Sequence, residues 1–271
     1  MFTQRIPNID NATDFFMLWT IKKEIKTYRG DIYKFISKIK DKENFSLVRF
    51  GDGEIRPMIY PEQSMHGGGY DWHYDPSETQ FTDDLIEALS YKSSTHHCGI
   101  LCPHCNTNNG RFTKEQGKEY FNMQKKLSGK PDKELSFCDI FTNSNHSIFL
   151  KDMVPLFNER NIVMVFNETG NINNLPFSVK KSFNVKKDAY QNSYHLIDDI
   201  TNYLKDKSDY VVLVAAGPFA NVLVTKLAMN NKDNTYIDIG STLDPQLGLG
   251  KTRAYLNNAG DINESCHWEY D

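Results

Sequence analysis

The sequence lacks any long hydrophobic run, which argues against a membrane-spanning protein. No apolar segment approaches the roughly 20 residues that a transmembrane helix requires, and the first residues, MFTQRIPNIDNATD, lack the apolar core of a signal peptide. Cysteine is also scarce, with five among the 271 residues. This number is below the cysteine density of a secreted disulfide scaffold. We therefore expect a cytoplasmic protein with reduced thiols.

The sequence also has no excess of positive charge. The formal net charge is -4, whereas a dedicated nucleic-acid binder carries a basic stripe that neutralises phosphates. One local basic stretch runs from Ile21 to Lys26 and continues through Lys34, Lys38 and Lys40. It is interpreted as a solvated helix face, with contact to an anionic surface or a membrane-bound acceptor as the alternative.

Repeats and low-complexity linkers are absent too, and strand-like and helix-like segments alternate along the chain. Apolar spacing predicts a helical N-terminal extension over residues 1–44, packed on a single domain over residues 45–271. Strands are predicted at 45–50, 98–102, 161–166, 210–216 and 235–239, and helices at 113–127, 193–204 and 218–229. This order predicts an α/β fold, a Rossmann-like, mostly parallel sheet with flanking helices and ligands beyond the carboxyl ends of its strands.

Two carboxylates follow the first predicted strand at a glycine turn. Asp52 and Glu54 alternate with Gly51 and Gly53, which let the backbone approach a ligand closely. Mn²⁺ and Mg²⁺ bind oxygen ligands and complete their shells with water and substrate phosphates, so two carboxylates are sufficient beside a diphosphate. The pattern indicates a divalent metal site, and its structural alternative is that Asp52 only caps the next helix.

A second glycine turn follows the most apolar predicted strand. The turn and the first helical residues after it are Gly217, Pro218, Phe219, Ala220 and Asn221. Amides at a helix start favour a phosphate, so this turn is a candidate nucleotide contact, although it matches neither a G-x-G-x-x-G fingerprint nor a P-loop. The alternative is an ordinary tight turn. Asp238, at the end of the next predicted strand, is placed to bind a ribose or sugar hydroxyl.

The segment from His66 to Asp75 gathers aromatic and titratable side chains. Aromatic faces pack against the C–H surfaces of sugars, and displacement at an anomeric carbon needs a base to deprotonate the acceptor. Asp71, His73 and Asp75 are candidates for that base, and Asp71 and Asp75 are preferred. The alternative is a polar surface loop with a packed Trp72.

A pair of cysteines with two residues between them requires a separate interpretation. Cys102-Pro-His-Cys105 matches the active-site pattern of some thiol oxidoreductases, but a loop-like Asn-Thr-Asn-Asn-Gly follows it instead of the helix that activates a thiolate. Zinc is the other alternative, since Cys and His are its usual ligands. Further potential ligands are His96, His97, Cys98, Cys138, Cys266 and His267.

Taken together, these motifs resemble a known family. The segment 45–54, FSLVRFGDGE, resembles the signature of the GT-D glycosyltransferases, and its Arg-Phe-Gly-Asp-Gly-Glu run is close to verbatim. The segment 214–223, VAAGPFANVL, looks like the Gly-Pro turn of that family, and 236–240 looks like its following strand. The segment 188–194, DAYQNSY, is similar to the segment that precedes the Gly-Pro unit.

The resemblance implies a GT-D type of Rossmann-like fold and a transferase that binds a UDP-sugar. It places Asp52 and Glu54 at a divalent metal, Mn²⁺ being the expected ion, and it places Gly217, Pro218 and Ala220 beside the nucleotide. A glycan or glycoprotein is the expected acceptor. The sequence departs from the family at 241–244, STLD, where a His-containing segment is usual, and in the cysteine-rich region, so donor and acceptor stay open.

The resulting interpretation is a metal-dependent transferase of a hexose or related sugar. In this interpretation Arg49 supports the carboxylates or binds a phosphate bidentately, with a structural ion pair as the alternative. Two rivals share the motifs: a metal-dependent hydrolase of nucleotides or phosphates, and a non-catalytic module that only binds a nucleotide-sugar. Assays with donor and acceptor, alone and together, separate the three.

Overall fold

The computed structural model describes residues 24–66, 72–77, 79–102, 113–257 and 267–270. The strands are β1 (Glu24–Thr27), β2 (Ser46–Arg49), β3 (Met65–His66), β4 (His73–Tyr74), β5 (His96–Ile100), β6 (Leu135–Phe137), β7 (Asn161–Asn167), β8 (Val179–Val185), β9 (Tyr210–Val214), β10 (Thr235–Asp238) and β11 (His267–Tyr270). The α-helices are α1 (Tyr28–Lys40), α2 (Asp52–Ile59), α3 (Thr79–Ser90), α4 (Lys114–Ser128), α5 (Ser144–Ile148), α6 (Ala189–Ser193), α7 (Leu196–Leu204) and α8 (Phe219–Asn230). Short 3₁₀ and π turns connect α5 to β7 and occur at Asp132–Glu134, Ile172–Asn174 and Ala254–Leu256.

A seven-stranded sheet forms the centre of the fold. Its strand order is β6-β5-β2-β10-β9-β7-β8, and every neighbouring pair is parallel. With the flanking helices this confirms the predicted Rossmann-like α/β fold. Because β2, β10 and β9 are neighbours, the segments that follow these three strands emerge at one edge of the sheet.

The interior strands and α8 carry the most apolar sequences because they are covered by protein on all sides. All five residues of β5 and four of the five in β9 are buried, as expected for parallel strands with both faces covered. α8 is buried along most of its length, apart from positions such as Lys226 and Asn230, and packs against β2, β10, α3 and α7. Its apolarity therefore reflects the core, and none of the helices in the described ranges has the length and apolar character that crossing a bilayer requires.

The predicted helix at 113–127 is confirmed, whereas the one at 193–204 begins differently. Thr113 is the N-cap of α4, and its hydroxyl and the Gln116 side chain form a reciprocal capping box. By contrast, Ser193 was predicted to begin a helix but ends α6, where its Oγ accepts a hydrogen bond of 3.0 Å from the Lys186 amide. The predicted single helix is therefore two, α6 and α7, separated by Tyr194 and His195.

The N-terminal extension also differs from its prediction. A helical extension was expected over residues 1–44, but residues 1–23 lie outside the described ranges, and Glu24–Thr27 form β1, which pairs antiparallel with β11. Lys26 is buried there, with Nζ 2.8 Å from the Asp132 carbonyl and 5.0 Å from the centre of the Trp268 ring. Burial lowers the Lys26 pKa to about 8. A solvated or surface-binding role is therefore wrong for Lys26.

Candidate active site

The candidate site lies at the carboxyl edge of β2, β10 and β9. The Asp-Gly-Glu turn follows β2, the Gly-Pro turn follows β9, and Asp238 ends β10 between them. Motifs that are more than 150 residues apart in the chain are thus placed side by side by the strand order. This edge is where ligands bind in open parallel sheets.

Glu54, and not Asp52, caps helix α2. Gly51 occupies the N-cap position, Asp52 begins the helix, and the Gly51 amide donates a 2.7 Å hydrogen bond to Oε2 of Glu54. A carboxylate has enough lone pairs to accept this bond and also bind a cation. The structural alternative, in which Asp52 caps the helix, is therefore not the arrangement seen. Both carboxylates belong to the first turn of α2, where the helix dipole favours negative charge.

The carboxyl groups of Asp52, Glu54 and Asp238 lie near one another at this turn. Burial first, and then the nearby carboxylates of Asp52 and Asp238, together raise the pKa of Glu54 to about 7. In the described ranges no three His, Cys, Asp or Glu side chains cluster as a ready-made metal site. Two carboxylates with only oxygen donors fit a hard divalent ion that takes its other ligands from phosphate and water.

Arg49 joins the ends of three neighbouring segments beneath the turn. Its Nε donates to the Asp238 carbonyl at 2.8 Å, one terminal nitrogen lies 3.2 Å from Oδ1 of Asp238, and the other donates to the Cys138 carbonyl at 3.2 Å. Oδ1 of Asp238 also accepts from the Gly240 amide at 2.9 Å. The structure thus places Arg49 in the ion pair, and Asp238 is the partner that sequence reasoning assigned to a sugar hydroxyl.

Gly240 is needed for this ion pair. Its backbone has a φ of 52°, and a Cβ added there would lie 2.2 Å from a terminal nitrogen of Arg49. Both the left-handed conformation and the close approach favour glycine. Gly240 was not among the predicted site residues, although its position directly after the last strand was a usable signal.

The Gly-Pro turn presents its backbone and hides most of its side chains. Gly217 is exposed and has a φ of 56°, whereas Pro218, Phe219, Ala220 and Asn221 are all buried. The Asn221 side chain makes two hydrogen bonds with the Arg49 backbone, one of 2.9 Å from the amide and one of 3.2 Å to the carbonyl. A ligand at this turn would therefore meet backbone groups at Gly217 and the start of α8 rather than these side chains.

Trp72 lies across both glycine turns. A Cβ added to Gly53 would lie 2.9 Å from Cζ2 of the indole, and one added to Gly217 would lie 3.7 Å from its Cδ1. The ring is half-buried and packs against the hydrophobic core. The indole thus joins the two glycine turns. The sequence predicted that the aromatic side chains of this segment contact a sugar, or that Trp72 packs in a surface loop, and it gave no sign of the contact with the two glycine turns.

The three candidate bases have different surroundings. Asp71 lies outside the described residues. Oδ1 of Asp75 accepts two hydrogen bonds from Ser77, 2.8 Å from the amide and 2.6 Å from the hydroxyl. Nδ1 of His73 lies 2.8 Å from Oδ1 of Asp188, a residue that was not predicted to belong to the site. The only signal for Asp188 was its place at the start of the 188–194 segment.

The cysteines that the structure describes are unsuited to redox chemistry. Cys98, Cys102 and Cys138 are buried, and burial raises the pKa of Cys98 to about 12 and that of Cys138 well above its usual value. A reactive cysteine requires a lowered pKa. Burial also lowers the pKa of His96 to about 3 and that of His97 to about 2. Cys105 and Cys266 lie outside the described residues.

Residues 30–245 match the family described as GT-D-like, a GT-D fold-like domain. The chain belongs to the GT-D-like family. This membership suggests glycosyltransferase activity, and comparison with curated proteins returns no significant match.

Solved structures share the fold of this GT-D-like chain. One is a domain of unknown function 1792 that is described as having a distinct glycosyltransferase fold. It is 20% identical to this chain with a TM-score of 0.54, and the match covers 82% of this chain and 81% of that one. Another, described as a new glycosyltransferase (DUF1792) from Streptococcus sanguinis, is 18% identical with a TM-score of 0.51 and covers 82% and 85%. These similarities show a shared fold and leave the chemistry to be argued from the site.

Proposed function

We propose that this protein transfers a hexose or related sugar from a nucleotide-diphosphate donor to a hydroxyl of a glycan or glycoprotein. A UDP-sugar is the first donor to test, and the reaction is metal-dependent. The observation that carries the proposal is the convergence of the Asp52-Gly53-Glu54 turn and the exposed Gly217 turn at one edge of the sheet, with Trp72 between them.

The chemistry of the two turns suits a diphosphate. Asp52 and Glu54 would hold Mn²⁺ or Mg²⁺, and such an ion, when bound, neutralises the negative charge that grows on a departing nucleoside diphosphate. The raised pKa of Glu54 supports this role, because burial and then the neighbouring carboxylates disfavour its negative charge, and a bound cation would offset both effects. The N-terminal end of α8 adds the positive end of a helix dipole beside the exposed Gly217.

Other predicted residues act by holding these turns in place. Asn221 ties the start of α8 to Arg49, and Arg49 ties the end of β2 to Asp238. This network fixes the spacing between the metal turn and the phosphate turn, which catalysis by positioning requires. We therefore propose Arg49, Asn221 and Asp238 as positioning residues, with contacts of Asp238 to sugar hydroxyls as a secondary role.

The test is a panel of UDP-, GDP- and dTDP-sugars, measured for binding and for turnover with and without Mn²⁺. Wild type is compared with Asp52→Asn and Glu54→Gln, which change charge but keep size, and Gln at position 54 retains an oxygen for the Gly51 amide. Asp83→Asn, on the exposed face of α3, is the matched control. We expect one donor to bind only with metal and each site variant to weaken it by at least about 10-fold.

The same panel separates the rival functions. Transfer that needs both donor and acceptor supports the glycosyltransferase. Metal-dependent turnover of nucleotides without regard to the sugar indicates a hydrolase, and binding without turnover of any kind indicates a recognition module. Absence of binding by every nucleotide-sugar under every metal condition contradicts the proposal.

A further inference from the structure

We propose that His73 is the general base that deprotonates the acceptor hydroxyl and that Asp188 is the positioning residue that orients its ring. The inference rests on the proposed function and names the group that carries out one step of it. It also favours His73 over Asp75, one of the two residues preferred from sequence, whereas Asp71, the other, lies outside the described residues.

The contact between the two side chains leaves one ring nitrogen for chemistry. Nδ1 of His73 lies 2.8 Å from Oδ1 of Asp188, which is buried and has no hydrogen-bond partner elsewhere in the described part of the chain. The same described residues make no hydrogen bond to Nε2 of His73, whose side chain is 40% exposed. A carboxylate at Nδ1 selects the tautomer in which Nε2 carries the lone pair, as a general base requires.

The pair is related to the proposed donor site by the chain and by the sheet. His73 directly follows Trp72, whose ring lies against both glycine turns. Asp188 follows β8, a parallel strand of the same sheet, and so belongs to the same carboxyl edge as the two turns. His73 is therefore linked to the donor site by its chain neighbour Trp72, and Asp188 is linked to it by the shared edge of the sheet.

The backbone holds Asp188 in an unusual conformation. Its φ is 51° and its ψ is 58°, in the left-handed region that few residues other than glycine adopt, although Asp is among those that do. Its carbonyl accepts hydrogen bonds of 3.0 Å from the amides of both Gln191 and Asn192. Residues held in this way by their surroundings are common at functional sites.

Asp75 is less suited to the role because its carboxylate is already engaged. Oδ1 accepts from both the amide and the hydroxyl of Ser77, an arrangement that closes a local turn. Hydrogen bonds to a carboxylate stabilise its charged form and reduce its strength as a base. His73, by contrast, has a partner that holds the ring and leaves its basic nitrogen open.

In the proposed step, the acceptor oxygen attacks the anomeric carbon while its proton passes to Nε2 of His73. The bond between the anomeric carbon and the diphosphate oxygen breaks, and its electron pair leaves with the nucleoside diphosphate. The imidazolium that forms is stabilised by the Asp188 carboxylate, and its proton is released to water after product leaves. A single displacement of this kind inverts the anomeric configuration of the transferred sugar.

The test compares His73→Ala and Asp188→Asn with wild type, using the donor identified by the panel and measuring donor affinity separately from transfer. His195→Ala is the matched control, because His195 is exposed and lies 4.0 Å from Asp199 in a second histidine–carboxylate pair. We expect His73→Ala to retain donor affinity within about two-fold and to lose at least about 100-fold in kcat for transfer. Added imidazole should restore part of that loss, and NMR of the product should show inversion.

Several results would overturn the inference. Unchanged transfer by His73→Ala shows that another group is the base, and loss of donor affinity together with transfer shows a structural role. Retention of anomeric configuration in the product also contradicts a single displacement assisted by His73. If wild type binds no donor at all, the proposed function fails and this inference fails with it. If wild type binds the donor, any of the other three results contradicts only this inference and leaves the proposed function standing.

Discussion

Gly53 stands in the first turn of α2, where alanine would ordinarily be the better helix former by about 1 kcal/mol. A Cβ at this position would lie 2.9 Å from the Trp72 ring, closer than packed carbon atoms approach. The preference of the helix for alanine at position 53 is therefore opposed by the Trp72 ring, which leaves no room for a Cβ. At position 53 a glycine stands in place of a better helix former, and it leaves space for the Trp72 ring.

This conflict predicts a sign reversal. Gly53→Ala should lower the free energy of unfolding by about 1–3 kcal/mol in wild type, because overpacking forces the ring to move. In a Trp72→Ala background the same change should raise it by up to about 1 kcal/mol. Urea denaturation of the four proteins measures both effects. Equal effects of Gly53→Ala in the two backgrounds would show that Trp72 and Gly53 are not in contact.

The Glu54 carboxyl predicts a pH dependence of stability in the absence of metal. Its folded-state pKa is raised from 4.5 to about 7, so between these values the unfolded chain binds fewer protons than the folded protein. Stability from this group is therefore present below about pH 4.5 and is lost as pH rises through about 7. Denaturation from pH 5 to pH 8 with a chelator should show wild type losing stability relative to Glu54→Gln. A pH-independent difference between the two proteins contradicts the raised pKa.

At the scale of secondary-structure elements, the Arg49–Asp238 ion pair joins β2 to β10. Both side chains are nearly buried, with exposed fractions of 12% and 7%. Removing one charge of such a pair leaves the other uncompensated, so Asp238→Asn should lower the free energy of unfolding by about 3 kcal/mol. Asp233→Asn, at an exposed position before the same strand, is the control. A loss no larger than that of the control would mean that the pair does not hold the strands together.

The start of α4 offers a second prediction for an element. The Thr113 hydroxyl accepts a hydrogen bond of 3.2 Å from the Gln116 amide, and the Gln116 side chain accepts one of 3.0 Å from the Thr113 amide. Thr113→Ala should lower the free energy of unfolding by about 1 kcal/mol, while Thr113→Ser should retain most of the stability. Chemical denaturation distinguishes the two variants, and an equal loss in both would exclude the hydroxyl as the cause.

These elements show which local signals in the sequence were sufficient. The capping box at Thr113 was predictable because both partners lie within three residues of each other. β1 was not, because its four residues fit a helical pattern and become a strand only by pairing with β11, more than 200 residues later in the chain. Contacts at such a distance in sequence leave no local pattern from which to infer them.

At the scale of the whole molecule, the strand order determines which sequence motifs lie next to each other. The parallel sheet and both glycine turns followed from the sequence, but the position of β10 between β2 and β9 did not. That order brings Asp238 against Arg49, and it places the two turns on either side of Trp72. The contact between His73 and Asp188 likewise joins residues 115 positions apart, so it required the fold to be seen.

The central claim is that the two turns form one donor site, and hydrogen exchange of the backbone amides tests it most directly. The protein is compared alone, with Mn²⁺, and with Mn²⁺ plus the UDP-sugar. We expect slower exchange in both 51–54 and 217–221 when ion and donor are present together, and no change in the distant segment 154–160. Protection of only one turn, or of neither, would contradict the claim that they bind a single nucleotide-sugar.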